Sequence, residues 1–196
     1  VNLELGWPIV ISSLVFLSYG AWSIAREKDL YTKTAIPMNL GEFKFLIPAW
    51  WSNSIDLVNA STLTTDRFIY YRSDTHYDWR CGIGNLTEAF ISTSQHCDQL
   101  IQNLGLVFDE DALRELPWRN LANNFDCTRI EGTATRGDED RVYADILVIK
   151  NISTAETIYL WSISSILNGC VEGPYVEEVL KRLEYQNQLL ETAPLS

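Results

Sequence analysis

Along the chain the spacing of apolar positions changes several times, and each change predicts a different kind of element. Residues 5–25 carry no charged side chain and are closed by Arg26-Glu27-Lys28-Asp29. A helix advances about 1.5 Å per residue, so an unbroken run of this length predicts a span across a hydrocarbon core of about 30 Å. Pro8 stands in the first turn, where its missing N–H leaves no bond unmade, and Trp7 and Trp22 stand near the two ends, as interfacial aromatics do. Residues 26–40 are polar, contain Pro37 and show no period, which predicts a juxtamembrane connector.

From Phe43 the period is two. Phe43, Phe45 and Ile47 share one face of a strand limited by Pro48, and residues 55–60, 67–72 and 77–81 read as further strands. The period then becomes helical. Asn85-Leu86-Thr87-Glu88 has the form of a capping box, after which Leu86, Phe90, Cys97, Leu100, Ile101 and Leu104 fall on one face as far as Gly105. A second short helix is predicted over 109–116, ended by Pro117. Strands return at 128–135, 141–150 and 156–164; the middle one is apolar on both faces, which predicts a central position in the sheet. Gly173-Pro174 opens an amphipathic helix with Val176, Val179, Leu180 and Leu183 inward, running to about Leu190, and residues 191–196 are expected to fray. The order defines an α+β chain: a transmembrane helix (5–25), a connector (26–40) and a globular domain (41–190) whose antiparallel sheet is covered by two or three helices.

With Phe43-Lys44-Phe45-Leu46-Ile47-Pro48-Ala49-Trp50 entering the sheet and a closing meander plus helix, the stretch from Gly41 to Tyr185 resembles the family of small domains typified by the photosystem extrinsic protein PsbP and by Mog1. In that family the opening strand commonly runs into a proline and a tryptophan. The resemblance implies a binding or assembly-assisting module rather than a conserved chemistry. It carries no functional residues with it and does not account for the membrane helix or the four cysteines.

Composition sharpens location more than chemistry. With 15 Lys+Arg against 26 Asp+Glu the net charge is -11, which repels phosphate backbones and excludes a nucleic-acid role in the absence of a basic stripe. Cys81, Cys97, Cys127 and Cys170 are even in number and lack CxxC spacing, which predicts two disulfides among three connectivities. Sequons begin at Asn59, Asn85 and Asn151, glycosylation sites if the chain passes through a eukaryotic secretory route. Together with the acidic, lysine-poor composition, these features favour a periplasmic or extracellular domain. Arg26, Lys28 and Lys33 favour the cytoplasm instead, by the positive-inside bias, unless upstream residues supply a basic flank. Ser23-Ile24-Ala25 resembles a cleavage site, but the run lacks the basic start and short apolar centre of a signal peptide. Leu14, Ser18, Ala21 and Ala25 form a small-residue stripe on which another helix could dock.

The sequence offers no catalytic motif, so no catalytic, cofactor-binding or metal-ligating residue and no cofactor is assigned. His96 lies beside Cys97 in a helix, where neighbours point about 100° apart. His76 sits in a polar loop, and a zinc site of Cys81, Cys97 and His76 requires three dispersed segments to converge. Asp138-Glu139-Asp140 serves a hairpin turn better than it serves calcium. The aromatics Trp50, Trp51, Phe68, Tyr70, Tyr71, Tyr77 and Trp79 are dense enough to be either core or a binding surface. The expected function is a single-pass accessory or assembly subunit, partnered by integral membrane subunits and, through residues 5–25, by the bilayer. The alternatives are an anchored domain that binds a small molecule, lipid or carbohydrate, and a carboxylate-dependent hydrolase.

Overall fold

A computed structural model describes residues 3–53, 65–73, 78–86, 91–110, 114–115, 124–137 and 140–185, with the side chains of residues 3–6, 65–68, 86, 114–115 and 167–171 outside the description. The chain divides into two compact units, residues 1–36 and 37–196.

The first unit is one helix, α1, Leu3–Thr34. Its stretch Trp7–Thr34 is long and apolar enough to cross a membrane, and none of the apolar window is buried by the chain itself. The helix does not stop at the charged closure. The segment read as a connector is helical to Thr34, because it contains an (i, i+4) Lys33–Asp29 pair at 2.6 Å and no helix breaker before Pro37.

The second unit opens with β1 (Ile36–Leu40) and β2 (Phe43–Ile47), which with β11 (Glu184–Tyr185) form a three-stranded sheet in the order β1-β2-β11. Phe43, Phe45 and Ile47 all point inward, as their alternation requires, and the Phe43, Phe125 and Tyr185 rings meet edge to face at 4.9–6.1 Å. The larger sheet holds β3 (Trp51–Asn53), β4 (Thr65–Ser73), β5 (Arg80–Leu86), β6 (Leu106–Phe108), β8 (Phe125–Arg136), β9 (Asp140–Asn151) and β10 (Thr157–Ser165) in the order β3-β4-β5-β10-β9-β8-β6, with β7 (Arg114–Glu115) added against β8. Every pairing given for it is antiparallel. β9 lies between β8 and β10, the central place that its two apolar faces predict.

Helices cover both faces. α2 (Thr93–Asn103) lies against β8, β9 and β6, and Cys97 and Leu100 enter a core with Leu106, Ala134, Val142, Ala144, Ile146, Val148, Tyr159, Trp161 and Ile163. α3 (Ile166–Lys181) lies against β9 and β10 on the opposite face, burying Val176, Val179 and Leu180. The pair Gly82-Gly84 has a packing role within this sheet. Trp161 stands opposite Gly82 and Tyr159 opposite Gly84, and each ring fills the space that a Cβ on the glycine would occupy.

Three expectations are corrected here. Asn85 does not cap a helix: it is a strand residue paired on both sides, by β4 and β10, and the capping box is Ser92 with Gln95. The helix therefore begins at Thr93, and Gly105 in the left-handed region (φ 65°) follows its end. Among the described residues of 109–116 none is helical, and Arg114 and Glu115 pair with Glu131 and Ile130 of β8. The last helix starts at Ile166 rather than Gly173, with Pro174 inside it, and ends at Lys181 before β11. The expected strand over 55–60 and the tail over 191–196 lie outside the described residues.

Candidate functional site

Among the described residues, buried Ser73, Arg129, Asp145, Ser162 and Glu172 gather between the sheet and α3. On β8 and β9 alternation places Arg129, Glu131, Tyr143 and Asp145 on this face, and the register makes Arg129 and Asp145 diagonal neighbours. Arg129 grips Asp145 with two N–H groups, Nε to Oδ1 at 3.1 Å and Nη2 to Oδ2 at 2.7 Å. Its Nη1 reaches Glu177 of α3 at 2.6 Å, and Glu131 stands 4.0 Å away. One guanidinium thus ties the helix to β8 and β9. Burial disfavours the Arg129 cation, but hydrogen bonds and attraction from Asp145 and Glu177 outweigh it and hold its pKa above the ordinary value. Burial pushes the Asp145 carboxyl up, and Arg129 opposes that push.

Beside this network Glu172 of α3 is buried and accepts hydrogen bonds from Trp51 Nε1 at 3.1 Å and Ser73 Oγ at 2.5 Å. Trp79 donates to Ser162 Oγ at 2.9 Å and packs on Trp51 with ring centroids 4.3 Å apart. The Cys81 thiol is fully buried and raised well above its usual pKa by burial and by the charges of Asp145 and Glu172. A thiol so placed is a poor nucleophile. These groups join α3 to the sheet, and the arrangement fixes a helix in place.

The expected disulfides are corrected. Cys81, Cys97 and Cys127 form no disulfide, and the side chain of Cys170 lies outside the described residues. Cys97 enters the α2 face, whereas Cys81 and Cys127 point to the α3 face. The Cys81 row continues through Ser162 and Asp145 to Glu131. Cys127 is therefore three strands across and four residues along, of order 20 Å away, against a disulfide limit of about 7 Å between Cα atoms. The same opposition of faces separates the thiols that a zinc site on Cys81 and Cys97 would need. Among the described residues no group of three or more His, Cys, Asp or Glu is placed to hold a metal ion.

The other candidates find ordinary places. His96 is buried in α2, and His76, Tyr77, Asp138 and Glu139 lie outside the described residues. Asn151 is buried, and its Oδ1 accepts from the backbone N–H groups of Ser153 and Thr154 at 2.8 and 3.2 Å, a turn that accounts for Asn151 without a glycan. Asn85 is half-buried on β5, and Asn59 lies outside the described residues. Trp51, Tyr70, Tyr71 and Trp79 are core, and Trp50 packs edge-on against Tyr175 at 4.8 Å, so these five aromatics are spent on packing, while the side chains of Phe68 and Tyr77 lie outside the described residues. Leu14, Ser18, Ala21 and Ala25 are all exposed on α1.

The feature that sequence reading missed is the Arg129 network. Its letters are dispersed and each has an ordinary polar neighbourhood. The one available signal was charged Asp145 in the middle of an otherwise apolar strand, where a buried carboxylate needs a cation.

No family model and no curated protein matches the chain in sequence. Among solved structures, the solution structure of cyanobacterial PsbP (CyanoP) from Synechocystis sp. PCC 6803 is similar at a TM-score of 0.57 and 10% identity, covering 78% of this chain and 92% of that one. A Pseudomonas aeruginosa protein of unknown function, PA94, gives a TM-score of 0.41 at 10% identity, over 76% of this chain and 94% of that one. The antiparallel sheet with helices on both faces is thus a PsbP-like fold, as the opening strand and closing meander imply.

Proposed function

We propose that the chain is a single-pass, membrane-anchored accessory or assembly subunit of a larger membrane protein complex, with the α+β unit as its interaction module. The observation that carries this reading is α1: a helix long and apolar enough to cross a membrane, with none of its apolar window buried, on the same polypeptide as a PsbP-like unit. Exposed apolar side chains in such number need a lipid or protein partner. The fold adds support through the binding or assembly-assisting role associated with its family. A role in binding rather than catalysis is supported by the network under α3, whose acids are tied to Arg129 and whose thiol is sealed in the core. In this reading Leu14, Ser18, Ala21 and Ala25 are where a neighbouring membrane helix docks.

Native mass measurement from mild detergent tests the proposal. Co-purification with integral membrane subunits of defined stoichiometry is expected, and a clean monomer from the source membrane would sink it. The proposal places the domain on the extracytoplasmic side. Free thiols withdraw the disulfide argument for that side, which now rests on the acidic composition and the fold, against the basic Arg26, Lys28 and Lys33. Val107, 71% exposed on β6, offers a clean probe because Cys81 and Cys97 are buried. Val107→Cys is expected to react with a membrane-impermeant maleimide in intact cells above the level of the parent chain. Labelling only after lysis would move the domain to the cytoplasm.

A further inference from the structure

At the end of the large sheet where β5 and β9 begin and β8 and β10 finish, a half-open cleft of about 250 Å³ is lined by charged side chains over an apolar floor of Val142 and Ile163. Register puts Arg80 and Arg136 on the same side of the sheet as that floor. The arginines with described side chains are Arg26, Arg72, Arg80, Arg129, Arg136, Arg141 and Arg182. Arg26 lies over the Trp22 ring and Arg72 over the Tyr70 ring; Arg129 holds Asp145 and Glu177, Arg141 holds Asp109, and Arg182 faces Glu178. Arg80 and Arg136 remain, and among the described residues neither has a carboxylate at ion-pair distance. Both line the cleft.

That coincidence is unusual in a chain with 26 acidic residues and 15 basic ones, where a stray guanidinium has many carboxylates to choose from. The cleft's own acids do not quench the pair. Asp78 accepts the Ser165 backbone N–H at 2.9 Å, and Asp140, opposite Arg136 in the β8–β9 register, makes no ion pair with it. A guanidinium presents a planar fork of donors matched to an oxoanion, and two of them in one concave site can take a carboxylate or phosphate from both sides. Ser165, on the same side of the sheet as Val142 and Ile163, stands at the wall. A half-open cleft of this volume has room for a compact ligand.

We propose that this cleft binds a small organic or inorganic oxoanion, a carboxylate or phosphate held between Arg80 and Arg136 with its apolar part on Val142 and Ile163. The site is separate from the aromatic surface considered from the sequence, and it does not depend on the membrane-subunit reading.

Calorimetric titration of the detergent-solubilised full chain at low ionic strength tests it, with inorganic phosphate and succinate as separate probes. Saturable one-to-one binding of at least one probe is expected. Arg80→Gln and Arg136→Gln should each weaken it about tenfold or more, while Lys44→Gln, whose partner Glu184 lies in the small sheet, should leave it unchanged. Neither arginine holds a described carboxylate, so the variants strand no buried charge, and thermal melts verify that they fold. Tighter binding of succinate identifies a carboxylate ligand, and tighter binding of phosphate a phosphate ligand. Absence of saturation by both probes up to 10-millimolar order, or equal weakening by Lys44→Gln, overturns the proposal. If a glutamine variant fails to fold, the Nε–Hε resonances of Arg80 and Arg136 in the parent chain decide: they must shift on adding the probe that binds.

Discussion

Replacing Arg129 by Met tests the reading of the buried network most directly. The guanidinium makes two hydrogen bonds to Asp145 and one ion pair to Glu177, all within 3.1 Å, and Asp145 is only 6% exposed. Methionine fills much of the volume but leaves a carboxylate in the core without a counter-charge. Removing one partner of a buried pair costs about 3–5 kcal/mol, a large part of the roughly 5–15 kcal/mol that holds an ordinary domain together. For a unit spanning residues 37–196 this corresponds to a fall in melting temperature of about 9–15 °C. The loss must also depend on pH. Once Arg129 is gone, Asp145 takes up a proton more readily, so the deficit against the parent shrinks as pH is lowered, by up to about 1.4 kcal/mol per unit. The assay is urea denaturation of the solubilised chain at pH 5 and pH 7.5, followed by tryptophan fluorescence. The double variant Arg129→Met/Asp145→Leu replaces the pair by apolar volume and should recover most of the loss. A cost below about 1 kcal/mol for the single variant, or a double variant no more stable than the single, would refute the view that the network is sealed from water.

Other consequences follow from the same structure. Burial raises the Asp145 carboxyl, so the native state holds its proton more tightly than the unfolded chain does; the stability this contributes is complete below the unfolded pKa and is lost as pH rises through the folded one. Asp145→Asn should therefore flatten the decline of the urea midpoint above about pH 4, and an unchanged slope would contradict the assignment. Gly82→Ala drives a methyl group into the Trp161 ring, and a loss of about 1–3 kcal/mol with a shifted tryptophan emission is expected. Ser92→Ala removes the cap of α2 and should cost about 0.5–2 kcal/mol in the same denaturation assay, whereas Asn85→Ala should leave the helical circular dichroism intact. Cys81 and Cys97 should resist a thiol reagent until urea unfolds the domain; fast reaction in buffer would show that the core opens.

Where sequence reading succeeded, the signal was local and repeated. Phe43, Phe45 and Ile47 alternate, and so do Val142, Ala144, Ile146 and Val148; a period of two admits one interpretation once a face must be buried. Where it failed, two local solutions competed. Asn85-x-x-Glu88 and Ser92-x-x-Gln95 have nearly the same capping form, and only pairing of Asn85 with strands on both sides removes it from contention. The stretch 109–116 is acidic at its start and ends at proline, as a short helix would, yet Arg114 and Glu115 lie where β8 offers an edge. Propensity over a few residues is worth tenths of a kcal/mol each and yields to such a tertiary offer.

The sequence by itself determined what depends on neighbours along the chain: an uncharged run that must meet lipid or a partner, a meander with a doubly apolar central strand, and an acidic balance. The tertiary structure alone decided what depends on strand order and face. It set Cys97 on one side of the sheet and Cys81 and Cys127 on the other, so an even count of thiols makes no bridge among the three. It brought Glu177 across from α3 to Arg129, and it left Arg80 and Arg136 together at one end, where among the described residues neither has a carboxylate at ion-pair distance. The reason is physical: charge and hydrophobicity are properties of single residues and can be counted, whereas a bond, a pair or a pocket requires two distant residues to share a row and a face, which only the folded register supplies.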